Sequence, residues 1–189
     1  TDGFETHFVN VRDLTQPSVL SNLPIDGYNT TATFVNFSWT AFDNHDTSLL
    51  CTVNVNGTAN VSNVVSPNGT LVNSTIYNFN DGYYNWNVTC VDDSSNSNTS
   101  LTRNFRIDTR APTWSNNKTA PVSGVIYSAG AFYQFNVTWI DAGVGISTVI
   151  IEHNFTGTLT NYSVSAIGSD YVYNYTDLAA GSYRWREFS

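Results

Sequence analysis

The chain has 189 residues, 41% hydrophobic and 14% aromatic but only 12% charged, with a net charge of −8. Such an acidic chain offers no basic patch for nucleic acid and no electrostatic grip on anionic lipid, and no apolar run approaches the ~18 residues of a membrane span. Its polarity comes from Asn, Ser and Thr instead, a composition that suits a glycan-covered exterior better than a cytosolic surface.

In chain order, the first residues, Thr1 to Asp13, read as a single strand without a domain before it. Phe4, Thr6 and Phe8 fall on one face and Val9 and Val11 on the other, so its register is only moderately specified. Next, Val35, Phe37 and Trp39 alternate with Asn36, Ser38 and Thr40. Cys51, Val53 and Val55 share one face of a later strand, and Tyr84, Trp86, Val88 and Cys90 share one face of another. Leu101, Arg103, Phe105 and Ile107 close the series. Each run is the period-2 signature of a half-buried strand. Asp26-Gly27, Asn56-Gly57, Asn68-Gly69 and Asp81-Gly82 mark turns between them. No convincing helical stretch is present. The expected fold is all-β, with sandwich architecture.

The pattern repeats. Phe37-Ser38-Trp39 returns as Val137-Thr138-Trp139, and Gly82-Tyr83-Tyr84-Asn85-Trp86 returns as Gly181-Ser182-Tyr183-Arg184-Trp185. A period of about 100 residues is one sandwich domain. The expected organisation is an N-terminal strand over 1–13, a first sandwich over 14–109, and a second over 110–189. Ser189 aligns with Cys90 and Ile151 with Cys51, so copy two is expected to lack its final strand. An orphan strand at one end and an absent one at the other allow two readings of equal weight. The chain is an excerpt of a longer array, or the strand of one subunit completes the next, head to tail.

Sequons are the densest motif. N-x-S/T occurs at Asn29, Asn36, Asn56, Asn60, Asn68, Asn73, Asn87, Asn98, Asn117, Asn136, Asn154, Asn161 and Asn174. With 24 Asn and 44 Ser plus Thr, about 5 or 6 would arise by chance. Strand parity turns Asn36, Asn87, Asn136 and Asn174 away from their apolar neighbours, toward solvent. Cys51 and Cys90 should both point inward, as a disulfide in an oxidising compartment or as two small core thiols; the glycosylated exterior setting favours the bridge.

Nothing in the sequence nominates catalysis. GxSxG, HExxH, P-loop and GxGxxG motifs are absent, and His7, His45 and His153 are too scattered for a zinc site. The expectation is a protein that is not an enzyme. Acidic turns at Asp43-Asn44-His45-Asp46, Asp92-Asp93 and Asp141 offer oxygens to calcium but fit no EF-hand spacing, and solvated turns are the commoner explanation. No other cofactor is expected.

Phe37-x-Trp39, Cys51-x-Val53-x-Val55, the run from Asp81 to Asp92, and Phe105-Arg106-Ile107-Asp108 before Pro112 resemble the tandem immunoglobulin-like or fibronectin-III-like repeats of archaeal and bacterial surface proteins. Trp39 precedes Cys51, unlike the order in antibody domains, which implies a bridge between the neighbouring third and sixth strands. The sequon load and low charge resemble glycan-coated archaeal filaments. That resemblance implies an extracellular, N-glycosylated structural subunit whose partners are copies of itself, assembled by donor-strand complementation. The alternative is an adhesin or carbohydrate-binding module that contacts a host surface or glycan.

Overall fold

The computed structural model describes His7, Val9 and residues 11–189; the strand expected at Phe4, Thr6 and Phe8 lies outside the described residues. Val9 and Val11 lie in no strand and are 85% and 90% exposed. The chain divides into two compact units, Thr1–Thr109 and Arg110–Ser189. Among the described residues no helix is long and apolar enough to cross a membrane, which says nothing of a β-barrel.

Unit 1 is a two-sheet sandwich. Its first sheet has the order β1 (Ser18–Leu23), β3 (Val35–Phe42), β6 (Leu71–Ile76). Its second has the order β2 (Tyr28–Thr30), β9 (Arg103–Ile107), β7 (Gly82–Val91), β4 (Ser48–Val55), β5 (Thr58–Pro67), with β8 (Ser97–Thr99) also on β7. The facing sides follow from the alternation. Phe37, Trp39, Cys51, Val53, Trp86, Val88, Cys90 and Ile107 are fully buried between the sheets. Period-2 patterning with bulky and β-branched residues on one face is what allows two sheets to pack this way. Leu101, placed in the last strand by its alternation, instead lies before it and is exposed.

The two cysteines meet as direct cross-strand partners. Cys51 on β4 faces Cys90 on β7 with Cα atoms 4.1 Å apart, and the sulfurs are bonded. The bridge thus ties neighbours within one sheet and does not cross the sandwich.

Unit 2 repeats this plan with β10 (Thr113–Ala120), β11 (Phe132–Ile140), β12 (Val149–His153), β13 (Thr160–Ile167), β14 (Asp170–Thr176) and β15 (Trp185–Phe188). The strand order is β10-β11-β14-β13-β12-β15, continuous because β13 pairs with β14 at one end and with β12 at the other. Phe135, Val137, Trp139, Val149 and Ile151 form the interior. Ile151 lies opposite Glu187, not Ser189. The register itself is that of unit 1, because Trp185 faces His153 as Trp86 faces Val55, and Asn154 accepts the Arg184 amide as Asn56 accepts the Asn85 amide. The counterpart of Cys51 is therefore Val149, not Ile151. An alignment offset of two residues keeps every side chain on its own face, so the apolar pattern alone does not reveal it.

Candidate functional site

The two units differ most at one edge. In unit 1, β9 is held on both sides. It runs antiparallel to β7, with Tyr84 opposite Phe105 and Gly82 opposite Ile107, and parallel to β2, with Tyr28 opposite Phe105. Phe105 drops into the core and is almost completely buried. Its ring stacks on Tyr84 at 5.1 Å and meets Phe79 edge-on at 5.4 Å and Phe37 at 5.6 Å.

Unit 2 carries residues that correspond to the neighbours of β9, and among the described residues β15 pairs on one side only, with β12. Tyr84 donates its hydroxyl to the Asn80 carbonyl at 2.9 Å, and Tyr183 donates to the Ala179 carbonyl at the same distance, so both units make the same corner. In sequence, Pro121 and Gly124 correspond to Pro24 and Gly27 of unit 1, so Val125–Tyr127, which forms no strand, corresponds to the residues of β2. Val125 and Tyr127 are each nearly half exposed and Ile126 is 92% exposed. Unit 2 has a cavity of about 390 Å³, lined by Val125, Tyr127, Leu178, Tyr183 and Trp185 over Phe135. Trp86 is fully buried in unit 1, whereas Trp185 is only half-buried. Backbone N–H and C=O groups on an open strand edge are the groups that recruit another strand.

A titratable group of unit 2 sits near Trp139, away from this cavity. Both carboxyl oxygens of Glu187 are shielded from solvent without a hydrogen-bond partner, as is the indole N–H of Trp139. Burial raises the Glu187 carboxyl from its ordinary 4.5 to about 7. The indole N–H of Trp139, near it but outside hydrogen-bond geometry, acts in the opposite direction. A folded state that holds the proton more tightly than the unfolded chain loses stability as pH rises through that window. We expect Glu187→Gln to stabilise unit 2 at pH 8 by about 1–2 kcal/mol after allowance for solvent screening, and to change little at pH 4. Thermal unfolding of both proteins across pH checks this. The comparison isolates Glu187 from His153, whose pKa burial lowers, so that His153 costs stability as pH falls below its ordinary 6.5. His153 is a core residue, stacked on Phe155 at 3.9 Å and Tyr162 at 4.7 Å.

None of the thirteen sequon asparagines is fully buried, but four are only half-exposed: Asn68, Asn87, Asn136 and Asn154. Strand parity therefore succeeds fully for Asn36 and Asn174 and only partly for Asn87 and Asn136. Exposure is not the whole test, because the glycan attaches at Nδ2. Asn68 donates Nδ2 to the carbonyls of Asp43 and Asp46 at 2.6 and 2.7 Å, while its Oδ1 accepts from the Asp43 amide. Asn98 donates Nδ2 to the Pro17 carbonyl at 2.9 Å. In contrast, Asn56, Asn60 and Asn154 each accept a backbone N–H through Oδ1, which fixes the amide and leaves Nδ2 undonated. The expected glycopeptide map shows Asn68 and Asn98 bare, with occupancy drawn from exposed sites such as Asn36, Asn56, Asn60, Asn73 and Asn174. Full occupancy at Asn68 would contradict it.

The acidic turns separate. Asp43 and Asp92 converge with Asp13, one carboxylate oxygen of each lying within 4.8 Å of the others, and Asp141 belongs to unit 2. Several of these oxygens serve turns: Asp43 accepts from the His45 and Asp46 amides, Asp13 from the Thr15 amide, and Asp92 from Asn96. Oxygen-only donors of this kind are those that hard cations take. Asp13 was not visible as a member because it is remote in sequence, and no local motif marks it.

No protein-family model matches the chain, and no curated protein matches it. Among solved structures, the chain is similar to the fibronectin(III)-like modules of Clostridium thermocellum CbhA, at 20% identity and a TM-score of 0.47, over 90% of this chain and 92% of that one. It is also similar to part of dimeric latent PorU from Porphyromonas gingivalis, at 15% identity and a TM-score of 0.36, over 92% of this chain and 18% of that one.

Proposed function

We propose that the chain is a structural subunit of an extracellular, N-glycosylated filament or surface stalk, and that it assembles head to tail by donor-strand complementation. The observation that carries this reading is the cavity in unit 2, lined by Tyr183 and Trp185, the counterparts of residues that pair with β9 in unit 1, and by Val125 and Tyr127. The occupant is the N-terminal stretch of a second copy. A contact between two different surfaces of one subunit does not close on itself and propagates as a chain. The reading is further supported by the disulfide, the exposed sequons, and Val9 and Val11 standing exposed outside any strand. The role is mechanical and non-catalytic, and it needs no cofactor.

The test is assembly of the purified chain with and without residues 1–13, followed by size-exclusion chromatography and electron microscopy. Head-to-tail polymers that fall to monomers on truncation are expected. A stable monomer with unit 2 fully folded, or polymers that survive truncation, would overturn the proposal.

A further inference from the structure

We infer that the strand filling the slot of unit 2 enters in one register, with Val9 of the second copy opposite Tyr183 and Val11 opposite Gly181. This rests on the donor-strand reading and specifies which face of the donor enters the core.

The slot fixes the direction and phase of its occupant. In unit 1 the inward positions of β9 are Phe105 and Ile107, set opposite Tyr84 and Gly82. The corner made by Tyr183 and Ala179 matches that made by Tyr84 and Asn80, so a strand that extended the pairing of β15 back to the corner would meet the same two inward positions opposite Tyr183 and Gly181. An occupant must therefore run antiparallel to β15 and present apolar side chains two residues apart, with the second just ahead of a charged stretch. Within residues 1–13, Val9-x-Val11 followed by Arg12-Asp13 repeats the arrangement of Phe105-x-Ile107 followed by Asp108. The competing frame points Phe4, Thr6 and Phe8 inward. It sets threonine between two phenylalanines where β9 has two adjacent inward apolar residues. Because successive side chains point to opposite faces, only one of the two frames can bury its residues.

Valine at the Phe105 position also leaves the slot underfilled. Phe135, Leu178 and Tyr183 line the cavity, and in unit 1 Phe105 makes three ring contacts. A larger side chain at residue 9 has room to enter, and a charged one would be buried without a partner.

The experiment is polymer formation by full-length chains carrying Val9→Asp, Val9→Phe or Phe8→Asp, with the unit 1 unfolding transition measured in each as a folding control. Val9→Asp should weaken assembly by a factor of about 100 or more, Val9→Phe should strengthen it about tenfold, and Phe8→Asp should stay within about twofold. Loss of assembly in Phe8→Asp with Val9→Asp tolerated would overturn the register while leaving donor-strand assembly intact. A wild-type chain that never polymerises would instead remove the reading on which the register rests.

Discussion

Truncating Phe105 to alanine is expected to destabilise unit 1 by about 3–5 kcal/mol, the range for removing a large buried aromatic. The residue is almost completely buried, and its ring contacts Tyr84, Phe79 and Phe37. Little can collapse into the space, because Tyr84 is held by its bond to the Asn80 carbonyl and Phe37 by its position in β3. The variant would give unit 1 the cavity that unit 2 already has, with β9 still present on its two partners. Calorimetry of the whole chain should show the unit 1 transition falling steeply while that of unit 2 stays in place. A change below about 1 kcal/mol would mean that the ring is not the keystone of the edge.

The second large effect concerns the disulfide. Cys51 and Cys90 are 39 residues apart in sequence and fully buried. Closing a loop of that length removes unfolded-state entropy worth about 3–4 kcal/mol. Replacing both with alanine should lower unit 1 stability by roughly that amount, leave unit 2 unaffected, and preserve the fold, because β4 and β7 remain paired from Leu50 to Val55. In the wild-type chain, a reductant must wait for β4 and β7 to open before it can reach either sulfur. The rate of reduction should thus follow the rate of unfolding and not the thiol concentration once that is high. Rapid reduction of the native protein, proportional to reductant, would contradict the burial.

Much of this architecture was legible because sandwich strands announce themselves by parity. Val35-Phe37-Trp39 and Tyr84-Trp86-Val88-Cys90 are long enough for a period of two to stand out, and they became β3 and β7. The doubled Gly-x-Tyr-x-Trp motif fixed the alignment of the two copies at the corner where Tyr84 and Tyr183 make the same hydrogen bond. The edge itself was harder. β2 is three residues long, too short for any period, yet it forms half of the grip on β9. Its counterpart Val125–Tyr127 was therefore invisible as a wall. The counterpart of Cys51 was equally hidden, since aligning it with Ile151 instead of Val149 leaves parity untouched and only changes partners, which is why Glu187 stands opposite Ile151. Sequon parity foretold exposure at Asn36 and Asn174 but carried no information on Nδ2, so the structural work of Asn68 emerges only when its two carbonyl acceptors are located.

The same edge yields the most direct test of the account. Amide hydrogen exchange at residues 181–185 and 125–127 should be slow in assembled wild-type protein, because both walls would then be bonded to an inserted strand. The same amides should exchange rapidly in chains lacking residues 1–13, while the amides of β7 that bond β9 in unit 1 remain protected in both. Equal exchange on the two walls with and without the N-terminal stretch would contradict the claim that a strand from a second copy completes unit 2.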